Sequence, residues 1–276
     1  MAHGLAHING GRRITGGRIM ALKNNKSLGQ NWLKNRDVLL DIADSASVED
    51  TETVLEIGPG LGTLTSALFK FFDRVISVEL DDRLAENLPK SFPGKNLQVI
   101  HDDVLKLDID ALDLPEKYVV AGNIPYYITS PIIEKFLSVK HKPQKIVFLI
   151  QKEVAERVAA EKGDYTILSL TAQNKAKVSL GPVVLREFFT PPPKVDSQVI
   201  ILEPREEAQV GDKAIALAKL GFSSPRKKLV SNLVAALRKP KEEIVDIFNK
   251  LSISLDVRPA DLSLQDWERI ALEIVK

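Results

Sequence analysis

The chain contains no cysteine. That excludes disulfides, thiolate zinc sites and a cysteine nucleophile, and it fits a reducing, cytoplasmic setting. Histidine is scarce: His3, His7, His101 and His141 are all there are, none with metal-ligand spacing to another, so no metal site is expected. No stretch approaches the roughly 18 consecutive apolar residues that a membrane span needs. The N-terminus has no apolar core that could serve as a secretory signal. An excess of charge of one sign is also missing, since the formal net charge is +1.

What is present is an ordinary globular composition, 44% hydrophobic and 27% charged over 276 residues. That length suffices for one α/β domain and a smaller second unit. The charge is unevenly placed. Arg12, Arg13, Arg18, Lys23, Lys26, Lys34 and Arg36 precede the first acidic residue, and Arg226, Lys227, Lys228, Arg238, Lys239 and Lys241 form a second basic region. Two local basic regions on a near-neutral chain point to a polyanion contact; the plainer reading is a solvated tail and a solvated helix face.

Residues 1–22 are rich in Gly and Arg without periodicity and read as a disordered basic tail, with Met20 as an alternative start. From residue 36 onward, short apolar runs alternate with amphipathic ones. Strands are expected at 53–57, 74–80, 97–100, 118–122 and 145–150, and helices at 36–46, 64–72, 82–90, 131–139 and 152–161. This alternation specifies a mostly parallel sheet covered on both faces. KVSL (177–180) and DSQVIILE (196–203) read as its antiparallel end. After a polar stretch at 204–211 only helical patterns remain. The expected organisation is a Rossmann-like α/β domain over 23–205 and a small all-helical domain over 206–276.

The first strand runs into Gly58-Pro59-Gly60-Leu61-Gly62, where glycines let the backbone turn sharply and approach a ligand. The spacing is not G-x-G-x-x-G, and Pro59 removes an N–H that a pyrophosphate would use, which counts against a NAD-dependent oxidoreductase. Glu79 ends the next strand, placed to accept from both ribose hydroxyls of a nucleoside. Asp102 and Asp103 follow the third, where a carboxylate can accept from an adenine amine. The plainer readings are a tight strand–helix turn and a surface acid.

The fourth strand ends in Asn123-Ile124-Pro125-Tyr126-Tyr127. An adenine amine is a poor nucleophile because its lone pair is delocalised into the ring. Two acceptors aimed at its hydrogens, the Asn123 side-chain oxygen and the Ile124 carbonyl, draw it toward a tetrahedral nitrogen. Pro125 stiffens the turn, and Tyr126 offers a flat face for a base, an interaction worth roughly 1–3 kcal/mol. Attack in line on a sulfonium methyl group then needs positioning and electrostatics only. Phe189, in the rigid segment 188–195, can close the other face of the base; a rigid connector with core phenylalanines is the alternative. A base entering such a pocket must come from a loop or leave its helix.

Taken with LGQNWL (28–33), EIGPGLGTLT (56–65), VEL (78–80), GNIPYYITSP (122–131), QKEVAERV (151–158), FTPPPKVDS (189–197) and PRKKLVSNL (225–233), the chain resembles the ribosomal RNA adenine dimethyltransferases over residues 28 to about 270. Within them it is most similar to the bacterial small-subunit branch. The resemblance implies a class I methyltransferase domain and S-adenosylmethionine as cofactor, held by Gln30, Asn31, Leu33, Gly58, Gly60, Glu79, Leu80, Asp103 and Asn123. It also implies that Asn123, Ile124, Pro125, Tyr126 and Phe189 serve the target adenine. Arg226, Lys227 and Lys228 would contact RNA. The implied substrate is two adjacent adenines in a hairpin near the 3′ end of small-subunit (16S) ribosomal RNA, methylated on the subunit precursor during small-subunit biogenesis; a monomer is expected because the sequence leaves no obvious apolar seam unused. The alternatives are a large-subunit (23S) enzyme of the macrolide-resistance type and a non-catalytic assembly factor. Two departures fall near the expected substrate entrance: Leu28 where the family usually has phenylalanine, and Thr166-Ile167-Leu168 where it often has Gly-Arg-Leu.

Overall fold

The structure is a computed structural model and describes residues 30–274. The expected tail over 1–22, Leu28 and the basic residues before Lys34 lie outside the described residues. The elements are, in order, β1 (Trp32–Leu33), α1 (Arg36–Ala46), β2 (Thr53–Ile57), α2 (Thr63–Leu68), β3 (Arg74–Glu79), α3 (Asp82–Ser91), β4 (Asn96–His101), β5 (Val119–Asn123), α4 (Thr129–Phe136), β6 (Lys145–Gln151), α5 (Lys152–Val158), α6 (Ile167–Lys175), β7 (Ala176–Val184), β8 (Phe189–Thr190), β9 (Ser197–Pro204), α7 (Asp212–Gly221), α8 (Leu229–Leu237), α9 (Lys241–Lys250) and α10 (Leu264–Ile274).

Seven strands form one sheet in the order β4-β3-β2-β5-β6-β9-β7. The first five are parallel, and β9 runs antiparallel to both of its neighbours, β6 and β7. The fold is therefore the expected Rossmann-like one with its antiparallel end. Alternation along each strand builds two cores. Leu55, Ile57, Ile76, Val120, Phe148 and Ile200 face α4 and α5, while Val54, Val75, Ala121, Leu149 and Val199 face α1 and α2. The chain leaves β2 toward β3 on one side, and β5 lies on the other. That reversal opens a crevice at the carboxyl ends of β2 and β5, where ligands of such sheets bind.

Helices α7 to α10 close on Trp267, Phe248, Leu229, Ile244 and Ile270. Leu170 of α6 belongs to this core as well, with Tyr165 and Ile167 against it. Asn174 stitches the two parts: its Nδ2 donates to the Val210 carbonyl at 3.1 Å and its Oδ1 accepts from the Val210 N–H at 2.8 Å.

Helix α6 has no amphipathic signature in the sequence, because it buries Leu170 on the helical side and Ala172 against the sheet. A helix packed on more than one face has no single apolar stripe. Helix α5 stops at Val158, short of the expected 161, and Gln173 Nε2 takes the carbonyls of Val158 and Ala160 at 2.9 and 2.8 Å. Helix α8 begins at Leu229, so Arg226, Lys227 and Lys228 lie in the preceding turn and not on a helix face. Asn232 fixes that turn by donating to the carbonyls of Gly221 and Ser224 at 2.7 and 2.9 Å.

Candidate active site

The crevice beyond β2, β3 and β5 is a pocket lined by the glycine loop, the ends of those strands, Gln30 to Leu33, and Phe189. Gly58, Gly60 and Gly62 all have left-handed backbones, with φ of 65°, 57° and 78°, a region that costs L side chains strain. The Gly58 N–H is held by the Val78 carbonyl at 2.9 Å. A Cβ on Gly58 would meet nothing within 4 Å, so open space lies directly over it. A Cβ on Gly122, by contrast, would sit 2.7 Å from the Ile57 carbonyl. Glycine there lets β5 come close to β2 at the pocket floor.

Glu79 is shaped by this loop. Its Oε2 accepts from the Gly60 N–H at 3.0 Å and its Oε1 from the Asp81 N–H at 2.9 Å. Those bonds lock the carboxylate toward the pocket and leave a lone pair on each oxygen. Burial pushes its pKa up, against the two backbone donors. Asp81 in turn takes Arg83 at 3.0 and 2.7 Å and Gln30 Nε2 at 3.4 Å. The Arg83 guanidinium holds the Asp81 carboxyl below the usual range. Beneath the loop, Glu56 is fully buried; its Oε2 accepts from Thr65 and Ser77 hydroxyls at 2.7 and 3.0 Å, and its Oε1 has no partner. Desolvation raises the Glu56 pKa to about 7.

At the other end of the pocket, Asn123 Nδ2 donates to the Asn31 carbonyl at 3.0 Å. The amide is thereby oriented, and Oδ1 is the atom left to accept. The Ile124 N–H is bound to the Leu149 carbonyl at 3.0 Å, which fixes the backbone that carries its own carbonyl. Pro125 opens a 3₁₀ turn over Tyr126–Ile128. The Tyr126 hydroxyl is tethered to Ser197 Oγ at 2.8 Å, and burial raises its pKa. Tyr127, 61% exposed, stands at the rim. Phe189 lines the pocket but is only 3% exposed, so its ring is mostly core.

Every expected cofactor and adenine residue, from Gln30 to Phe189, lines this one pocket, including Leu80 and Asp103. Asp103 Oδ1 accepts from the Leu105 N–H at 3.0 Å. Arg226, Lys227 and Lys228 do not line it; they are exposed in the turn before α8, and Lys228 is paired with Asp256. Trp32 lines the pocket unanticipated, with its pyrrole edge against Gly60 and its indole N–H buried without a partner. The one available signal was an aromatic residue directly after Asn31. The pairing of β1 with β8, Trp32 opposite Thr190 and Leu33 opposite Phe189, was not anticipated either.

Among the described residues, the pocket is lined by Glu79, Asp102 and Asp103 and by no Lys, Arg or His. A dinucleotide pyrophosphate finds no counter-charge in that set. A nucleoside carrying a positive sulfonium does, with hydroxyl donors for Glu79 and apolar walls at Ile57, Val78 and Val104. The residues present thus fit S-adenosylmethionine.

A family model described as ribosomal RNA adenine dimethylase matches residues 21–274. The chain belongs to that family. A ribosomal RNA small subunit methyltransferase A from Dehalococcoides mccartyi (strain CBDB1) is 39% identical over 260 residues, covering 91% of this chain and 89% of the relative. In three dimensions the chain is similar to a dimethyladenosine transferase from Plasmodium falciparum, with a TM-score of 0.76 and 29% identity over 88% of this chain and 97% of the other. It is also similar to the 23S rRNA methyltransferase ErmE, with a TM-score of 0.69 and 27% identity over 89% of this chain and all of the other. The oriented Asn123 amide and the carboxylates Glu79, Asp102 and Asp103 line the same crevice. Among the described residues no helix is long and apolar enough to cross a membrane, and no group of three or more His, Cys, Asp or Glu could hold a metal ion.

Proposed function

We propose that this chain transfers methyl groups from S-adenosylmethionine to the exocyclic amines of two adjacent adenines in a hairpin near the 3′ end of small-subunit ribosomal RNA. The observation that carries the reading is the Asn123 amide, whose nitrogen is committed to Asn31 so that its oxygen is left to accept from an amine. When bound, S-adenosylmethionine supplies an electrophilic methyl group on its sulfonium.

Each residue then has a task. Glu79 accepts from the ribose hydroxyls with the lone pairs its backbone donors leave. Asp103 accepts from the cofactor adenine amine beside Leu80, and Gln30, Asn31, Leu33, Gly58 and Gly60 shape the remaining walls. Asn123 Oδ1 and the Ile124 carbonyl accept the two hydrogens of the target amine and free its lone pair. Pro125 holds that carbonyl in place. Tyr126 stacks on the target base, with its hydroxyl anchored away from the reaction by Ser197. Phe189 supports the far side of the base and ties it to the β1 segment. These donors and acceptors act by position and fixed charge, without a covalent intermediate.

The exposed Arg226 and Lys227, with Lys228, contact the RNA backbone from residues 206–276, and the monomer acts on the precursor of the small subunit. Incubation with labelled S-adenosylmethionine and separated, unmethylated small and large ribosomal subunits tests the reading. Dimethyladenine in the small subunit alone supports it. The likeness to a 23S rRNA methyltransferase over 89% of the chain favours a second reading, a large-subunit target; label in the large subunit selects it. Binding without label in either selects an assembly factor.

A further inference from the structure

At the end of the sheet opposite the glycine loop, where β6 begins and β9 ends, Ser138, Lys142, Lys175 and Arg205 line a second pocket, with Leu137 and Val139 as its walls. No carboxylate lines it. All three cations are half-buried, and none is in an ion pair among the described residues. Of the acids beside Arg205 in the chain, Glu203 pairs with Lys177 at 3.1 Å, and Glu206 and Glu207 are exposed. Partly buried positive charges are normally matched by a counter-charge. Three around one cavity whose lining holds no carboxylate make it electropositive.

The donors are fixed in place before any ligand arrives. Lys142 Nζ donates to the carbonyls of Arg205 and Glu206 at 2.7 and 2.6 Å, which anchors the ammonium on the pocket rim. Lys175 Nζ donates to Ser138 Oγ at 3.0 Å and so leaves the serine proton to be donated onward. The Arg205 main-chain N–H donates to the Lys175 carbonyl at 2.8 Å, which holds the two backbones side by side. Arg205 Nε is buried and has no hydrogen-bond partner. A buried N–H without an acceptor is costly, and a guanidinium is suited to hold a tetrahedral oxyanion by parallel charge-assisted bonds.

We propose that this pocket binds a phosphoryl oxyanion, held by the charge of Arg205 and Lys175 and by the Ser138 hydroxyl. It is remote from the methyl-transfer site and independent of the reading given for it. Phosphate chemistry can come from a free anion or from an RNA backbone.

The test is titration of the full chain with inorganic phosphate at constant ionic strength, chloride replacing phosphate, read by calorimetry and by thermal unfolding. The expected result is saturable binding with a rise in Tm. Affinity is weakened roughly tenfold, and the Tm rise reduced, in Arg205→Gln and in Lys175→Gln, each of which removes a charge-assisted bond, and both are unchanged in Lys70→Gln, an exposed lysine elsewhere. No saturation in the wild type, or equal saturation in the two pocket variants, overturns the proposal. Melting curves without phosphate establish that the variants are folded. A second arm adds a ribosomal RNA hairpin to the phosphate-loaded protein. Displacement of phosphate, with a salt slope of RNA binding about one unit lower in Arg205→Gln, assigns the site to an RNA phosphate. Retained phosphate and an unchanged slope assign it to a free anion.

Discussion

Glu56 offers a test of the ground beneath the cofactor loop. Its carboxyl is fully buried, its pKa is raised to about 7 from 4.5, and desolvation is the largest cause, opposed by the Thr65 and Ser77 hydroxyls. A carboxylic acid with a raised folded-state pKa binds its proton more tightly in the folded chain than in the unfolded one. Its contribution to stability is therefore fully present below pH 4.5 and is lost as pH rises through 7. The whole span is about 3 kcal/mol, of which about 2 kcal/mol falls between pH 5.5 and pH 8. Glu56→Gln removes the ionisation. Its amide oxygen can still accept from Thr65 and Ser77, while its NH₂ takes the place of the partnerless Oε1, at a cost of about 1–3 kcal/mol that does not vary with pH. Urea unfolding of wild type and variant at a series of pH values separates the two effects, since titrating groups not coupled to Glu56 cancel in the difference and Glu79 is a lesser cause of its shift than burial. The wild type should lose about 2 kcal/mol relative to Glu56→Gln between pH 5.5 and 8, levelling off above pH 8. A difference that stays constant across that range would refute the buried, titrating carboxyl.

Three further outcomes follow from the site. Asn123→Ala should lower kcat by roughly 10²–10³-fold through loss of the amine acceptor, and cofactor affinity by only a few-fold, because the freed Asn31 carbonyl loses one neutral hydrogen bond; calorimetry giving equal losses in both would contradict that division. Gly58→Ala should destabilise the fold by about 1–2 kcal/mol through its left-handed backbone. Its methyl group fills open pocket space, so cofactor affinity should fall roughly tenfold or more, and undiminished binding would place the cofactor elsewhere. Replacing Arg226, Lys227 and Lys228 together with glutamine should reduce the salt slope of RNA binding by about two units and not three, because Lys228 is already engaged by Asp256; an unchanged slope would make the turn a solvated surface only.

Much of the site was legible because its chemistry is local in the chain. Glycine spacing at 58, 60 and 62, an acid at the end of the following strand and Asn-Ile-Pro-Tyr at the end of the fourth each state their role in a few consecutive residues, and a parallel sheet brings strand ends to one edge. What escaped was non-local. The two-residue strand β1 has no periodicity to detect, and only its pairing with β8 brings Gln30, Asn31 and Trp32 over the glycine loop beside Phe189. Helix α6 escaped for the opposite reason, being buried on two sides.

By itself the sequence determined the alternation of the sheet strands with most of their helices, the glycine turn after β2 and the polar residue types at the strand ends, since periodicity and backbone chemistry are properties of neighbouring residues. Tertiary structure alone decided which way each acceptor is turned. The Asn123 amide is oriented by a carbonyl 92 positions away, the Glu79 carboxylate by the Gly60 N–H 19 positions away, and the Tyr126 hydroxyl by a serine 71 positions away. It also gathered Lys142, Lys175 and Arg205 around one cavity, which separate positions in a linear chain could not announce. Hydrogen bonds and burial act between groups that folding makes adjacent, so direction and environment are not written at any single position.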